Sequence, residues 1–86
     1  MIVRIPSPLR SYTSGKSQVE TANGTVAAIL ADLDGKHPGI RFRMIDEQGR
    51  IREHIKIFIN TDQIEDLNRS ADQKDTLHII CALSGG

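Results

Sequence analysis

Apolar residues along the chain follow two periods, and each marks a different kind of element. The first run, Ile2 to Ile5, is β-branched and stops at Pro6, with Pro8 two residues on; this predicts a short strand entering a loop. Ser, Thr and Gly between Tyr12 and Lys16 suit a turn. Ser17 to Thr21 then reads as a second strand, hairpinned onto the first, with Val19 as its one strong apolar residue. At Thr25 the period changes. Asn23-Gly24-Thr25 offers cap chemistry, and Val26, Ile29, Leu30 and Leu33 recur at helical spacing, with alanines at 27, 28 and 31. Gly35 weakens the helix end, and the segment closes at His37-Pro38-Gly39, because a residue before proline avoids helical angles.

Residues 40–50 are less regular. Ile40, Phe42, Met44 and Ile45 are expected to pack against the domain, and Asp46 to Gly49 reads as a turn. From Ile51 to Ile59 the pattern suggests period two, with Ile55, Ile57 and Ile59 on one face and Lys56 and Phe58 on the other. Asn60 to Asp62 is a turn, Ile64 and Leu67 lie in a short aperiodic segment, and Ser70 to Asp75 is polar and turn-like. The last run alternates again, with Leu77, Ile79, Cys81 and Leu83 on one face and His78, Ile80 and Ala82 on the other. The order is strand, strand, helix, strand, short segment, strand. A right-handed crossover brings the last strand into the middle of the sheet, beside the first. The expectation is an α+β fold of β-grasp type: a mixed sheet with one main helix across one face.

Composition narrows the function classes. With 86 residues, a single domain over 1–86 is expected, ending in a flexible tail at 84–86. Eleven basic side chains balance 11 acidic ones, so no excess positive charge exists for binding nucleic acid or anchoring to a membrane. Aromatics are scarce, which argues against a base-stacking surface. The one cysteine, Cys81, excludes an internal disulfide framework and a multi-thiolate zinc site. No apolar run reaches membrane-spanning length and no signal-peptide pattern opens the chain, so the expected location is the cytoplasm.

The most informative feature is the end of the sequence, Leu83-Ser84-Gly85-Gly86. Glycine is a poor strand residue and is costly to order, so Gly-Gly does little for stability. A thread without side chains can instead enter a narrow active site. Four residues at roughly 3.3 Å each would project a terminal carboxylate by about 13 Å.

The segment Thr76 to Gly86 resembles the C-terminal strand and tail of ubiquitin-like proteins, in the style of the prokaryotic sulfur carriers: the small subunit of molybdopterin synthase, the thiamine sulfur carrier, and the carriers serving cysteine or thio-siderophore synthesis. Ile2 to Arg10, Thr25 to Leu33 with His37-Pro38-Gly39-Ile40, and Ile57 to Asn60 also resemble the corresponding family segments, so the similarity spans nearly the whole chain. The resemblance implies that an ATP-dependent adenylating enzyme activates the carboxylate of Gly86. A sulfur donor then converts it to a thiocarboxylate, and a sulfur-accepting biosynthetic enzyme receives the sulfur. Gly85 keeps the tail slim. The chain is then a protein cosubstrate, not an enzyme. It binds no cofactor itself, and ATP belongs to the activating enzyme. Ala82 and Ser84 stand where eukaryotic modifiers carry basic tail residues, which weakens the reading as a modifier forming isopeptide bonds. Cys81-Ala82-Leu83-Ser84 also departs from the proline and Ala-Gly-Gly usual in the molybdopterin synthase subunit, which favours a carrier for cysteine or another sulfur metabolite.

Strand parity adds a partner surface. Lys56, Phe58, His78 and Ile80 point away from the Ile57/Ile79 face, and with Leu83 and Ser84 they are the expected partner-binding residues. Other tempting chemistry is weak. His37, His54 and His78 match no metal-ligand spacing. Cys81 shares the inward parity of Ile79, which predicts a buried small apolar residue, not a relay thiol. Asp62, Glu65 and Asp66 have no evident base or nucleophile beside them.

Overall fold

A computed structural model describes residues 1–82 of the chain. The expectations for Leu83, Ser84, Gly85 and Gly86, and for a flexible tail at 84–86, lie outside the described residues.

Ile2–Arg4 forms strand β1 and Gln18–Glu20 forms β2; they pair antiparallel, Val3 opposite Val19. The link between them is not a loop with a turn at Tyr12 to Lys16. It is a 3-10 helix, Ser7–Thr13, with Pro6 at its N-cap and a proline in its first turn. Proline's fixed φ suits that position, where its missing N–H leaves nothing unpaired. The turn itself is confined to Ser14 and Gly15, both at positive φ.

Helix α1, Val26–Lys36, begins as the sequence predicts. Thr25 Oγ1 accepts the Ala28 N–H at 3.1 Å, and Val26, Ile29, Leu30 and Leu33 form the buried stripe. Beyond His37 the chain re-enters a short helix, α2, Ile40–Met44. Its i, i+4 spacing buries Ile40 and Met44, with Ile45 following, but turns Phe42 outward, 56% exposed. The expectation that Phe42 packs inward is thus corrected.

The strand expected over Ile51 to Ile59 is shorter: β4 spans Ile55–Ile59. Glu53 shares parity with Ile51 and Ile55, so a continuous strand would bury a carboxylate without a partner. The chain turns at Glu53 and His54 instead, both exposed, and Ile51 forms a separate bridge to Ile45. Two further short strands come from segments read as aperiodic or turn-like. Asp62–Ile64 is β5, antiparallel to β4, and Ser70–Ala71 is β6, paired with β3 at Gly24–Thr25.

Strand β7, Thr76–Cys81, runs parallel to β1 and antiparallel to β4, giving the sheet order β2-β1-β7-β4-β5. The last strand is therefore central and beside the first, as the β-grasp expectation requires. Val3, Ile55, Ile57, Ile59, Leu77 and Ile79 face α1 and are buried. The start of β7 is pinned by polar bonds: Asn60 Oδ1 accepts the Thr76 N–H at 3.0 Å, and Asp75 accepts from Asn60 Nδ2 at 2.9 Å and from the Asp72 N–H at 2.8 Å. The Asp72 N–H first, and Asn60 second, hold the Asp75 carboxyl below the ordinary aspartate range.

Candidate functional site

The site is built on β7. A strand held on both sides, with core residues beneath it, is a rigid support for whatever follows it. Ile55 pairs with Cys81, and one step further the Ala82 N–H donates to His54 O at 2.8 Å. The backbone is thus paired up to the last described residue. Cys81 lies on the inward parity and packs against the core, but it is half-buried, not buried as the sequence suggests. The cause is its place at the end of the strand, where the sheet's cover thins.

The four residues expected to bind a partner that fall within the described range, Lys56, Phe58, His78 and Ile80, come together on the open sheet face. The register places Lys56 opposite Ile80 and Phe58 opposite His78. The same row continues through Arg4, which pairs with both His78 and Gln18, and through Gln63, opposite Phe58. Ile80 is 46% exposed, Lys56 is exposed, and Phe58 and His78 are half-buried by their cross-strand neighbours. Residues 40–45 do not fold over this face: α2 packs on α1 and on the 3-10 helix, and Ile45 joins the core. An apolar pair, Phe58 and Ile80, within a polar surround is the composition of a partner-binding patch.

Shallow grooves flank the end of β7. Arg4, Pro6, Pro8, Arg10, His78 and Ile80 line most of one, of about 620 Å³, with Cys81 at its end. A second groove, about 290 Å³, lies between Phe42, Arg43, Arg52 and His54. The Arg52 guanidinium sits 4.6 Å from the centre of the exposed Phe42 ring, and its Nε donates to Phe42 O at 2.8 Å. Arg43 Nε donates to Tyr12 Oη at 2.7 Å. Strand parity could not reveal Phe42, Arg43 and Arg52, because they sit on a short helix and a turn. The available signal was the crowding of Arg41, Arg43, Arg50 and Arg52.

Among the described residues no arrangement suited to acid–base or metal chemistry emerges. Among the described residues no group of three or more His, Cys, Asp or Glu side chains is close enough to hold a metal ion. His37 Nδ1 lies 3.1 Å from Tyr12 O. No helix among the described residues is long and apolar enough to cross a membrane.

A family model described as the ThiS family matches residues 3–86. The sulfur carrier protein CysO of Mycobacterium tuberculosis is 28% identical over 89 residues, covering 98% of this chain and 96% of that protein. Among solved structures, the Amycolatopsis orientalis BexX/CysO complex contains a chain 32% identical to this one at a TM-score of 0.90, with 99% of this chain and 98% of that one covered. Mycobacterium tuberculosis CysO superposes at a TM-score of 0.90 with 26% identity, over 95% and 98% of the two chains. The small archaeal modifier protein SAMP1 of Haloferax volcanii, at 24% identity and a TM-score of 0.79, shares the fold.

Proposed function

The chain belongs to the ThiS family, and from that premise we propose that it carries sulfur as a thiocarboxylate on Gly86 and delivers it to a biosynthetic enzyme, with cysteine synthesis favoured. It is a sulfur carrier and a protein cosubstrate, not an enzyme. The observation that carries this reading is full-length similarity to CysO sulfur carriers in both sequence and fold. The likeness to SAMP1 carries the fold alone, so the modifier alternative is not favoured, and neither is the molybdopterin synthase subunit.

The chemistry follows from the tail. A carboxylate resists nucleophiles because it is anionic and its oxygen leaves poorly. A partner enzyme transfers the adenylyl group of ATP to the Gly86 carboxylate, releasing pyrophosphate and forming a mixed anhydride. A sulfur nucleophile attacks the acyl carbon, the bond to the AMP oxygen breaks, and AMP leaves. When that sulfur comes from sulfide, the product is the thiocarboxylate. The carrier supplies no acid, base or cofactor; ATP is bound by the activating enzyme. Gly85 and Gly86, with no side chains to clash, pass through that enzyme's cleft. Lys56, Phe58, His78 and Ile80 supply the docking face, with Leu83 and Ser84 at the start of the tail. The need for ATP and sulfide supports a cytoplasmic location.

Reconstitution tests the reading. The carrier is incubated with the adenylating enzyme of the same organism, ATP and sulfide, and its mass is read. Wild-type protein is expected to gain one sulfur in place of one oxygen at Gly86. A chain lacking Gly86 is expected to gain none while melting at the same temperature. Sulfur acceptance by the shortened chain contradicts the assignment.

A further inference from the structure

The chain's net charge of zero hides a strong asymmetry. Three adjoining grooves lie around the end of β7 and Ala82. Arg4 and Arg10 line the first, beside Ile80 and Cys81; Arg43 and Arg52 line the second, with Phe42 and His54; Lys56 lines the third, with Glu53, His54 and Ala82. These are five of the chain's 11 Lys and Arg residues. Glu53 is the one carboxylate lining these grooves among the described residues. The ion pairs found among the described residues, Lys36 with Asp32 and Arg69 with Asp62, involve none of the five cations. Arg10, Arg43 and Arg52 are instead oriented by neutral acceptors: Ile5 O at 3.0 Å, Tyr12 Oη at 2.7 Å and Phe42 O at 2.8 Å. Each arginine so held uses its Nε, which leaves the outer guanidinium nitrogens to other partners.

Several carboxylates gather at the opposite end of the sheet. Cys81 pairs with Ile55 at one end of β7, and Leu77 with Ile59 at the other. At that second end lie Asp62, opposite Ile59, and Asp75, bonded to Asn60 and Asp72. Glu20 is nearby, paired with Ile2, which also pairs with Thr76. Arg69, ion-paired with Asp62, and Lys74 offset part of the negative charge there.

We propose that this basic collar docks against a carboxylate-lined rim at the mouth of the adenylating enzyme's cleft, orienting the carrier tail-first. The inference rests on the carrier reading above. Reach separates the rim from the nucleotide: an extended tail of four residues puts Gly86 up to about 13 Å from Ala82, so the phosphates of ATP lie too deep for the collar to be their ligand. Cations held by neutral groups keep their charge uncompensated for a partner, and complementary potential across an interface raises the rate of productive encounter. Phe42, exposed beneath Arg52, gives the collar an apolar anchor of the kind that concentrates binding energy.

The test uses the full chain and the adenylating enzyme of the same organism, with ATP–pyrophosphate exchange measured against carrier concentration. Arg4→Glu and Lys56→Glu replace exposed collar cations that hold no internal hydrogen bond. Lys74→Glu makes the same charge change at the opposite end of the sheet. Each collar variant is expected to raise the KM for the carrier roughly tenfold with kcat nearly unchanged, as rim charges act mainly on association. Lys74→Glu is expected to leave KM at or below the wild-type value. Raising salt from about 0.1 M to about 1 M, which shortens the Debye length from about 10 Å to about 3 Å, is expected to weaken wild-type binding and to bring it close to the collar variants. Equal KM values for the collar variants and wild type, or equal losses for Lys56→Glu and Lys74→Glu, overturn the collar while leaving the carrier reading intact. Absence of exchange with wild-type carrier overturns the carrier reading itself, and the collar with it.

Discussion

At Gly39 the backbone adopts φ +96°, between the end of α1 and the start of α2, and a Cβ placed there would meet Tyr12 Cε1 at 3.2 Å. The same ring carries the hydroxyl that orients Arg43, so this glycine lets two helices and an aromatic close on one another. Gly39→Ala combines a left-handed backbone cost with a crowded contact. It is expected to destabilise the fold by about 1–2 kcal/mol, read from chemical denaturation; an unchanged midpoint would mean that the turn relaxes freely. Single residues also set the limits of what could be read from sequence. Thr25 as the helix cap and the stop at His37-Pro38-Gly39 were legible because their chemistry is local. Glu53 was the overlooked signal: it occupies an inward position in the apparent alternation from Ile51, and the turn there spares its burial. Phe42 was misjudged because hydrophobicity alone does not fix which side of a five-residue helix faces the core.

Among elements, α1, β4 and β7 announced themselves through period, since each buries an apolar stripe, and β1 through a β-branched run that stops at Pro6. The 3-10 helix, β3, β5 and β6 did not. Each is short, and the small strands are defined by backbone pairing with distant segments, which leaves little trace in local sequence. The side chains of the open sheet face were readable for the complementary reason: once β4 and β7 are strands, parity puts Lys56, Phe58, His78 and Ile80 together, and the register makes them neighbours. That surface makes an element-level prediction. Phe58→Asp puts a charge at the centre of the docking face without opening the core. Its affinity for the adenylating enzyme is expected to fall by at least about 1–2 kcal/mol, the scale of an interface hot spot, with little change in the melting transition. Undiminished affinity, by titration calorimetry, would remove the face from the account.

On the scale of the whole molecule, a small sheet with one helix behind it makes β7 a central, doubly paired strand, so the segment that follows it starts from a fixed point. The fold thereby supports chemistry that is completed elsewhere, on another enzyme's active site. The order of elements and the final Gly-Gly were sufficient to reach this reading, but the proposed basic collar was not legible, since it joins residues from β1, the 3-10 helix, α2, the turn before β4 and β4 itself that only the tertiary structure brings together. The central claim is the sulfur on Gly86, and the intact mass of the protein purified from its native cells tests it most directly, with thiol alkylation of the denatured chain to separate Cys81 from the terminus. The account predicts an alkylatable form in which one oxygen at Gly86 is replaced by sulfur; Gly86 found instead in amide linkage to lysines of other proteins, with no sulfur-bearing form, would contradict it.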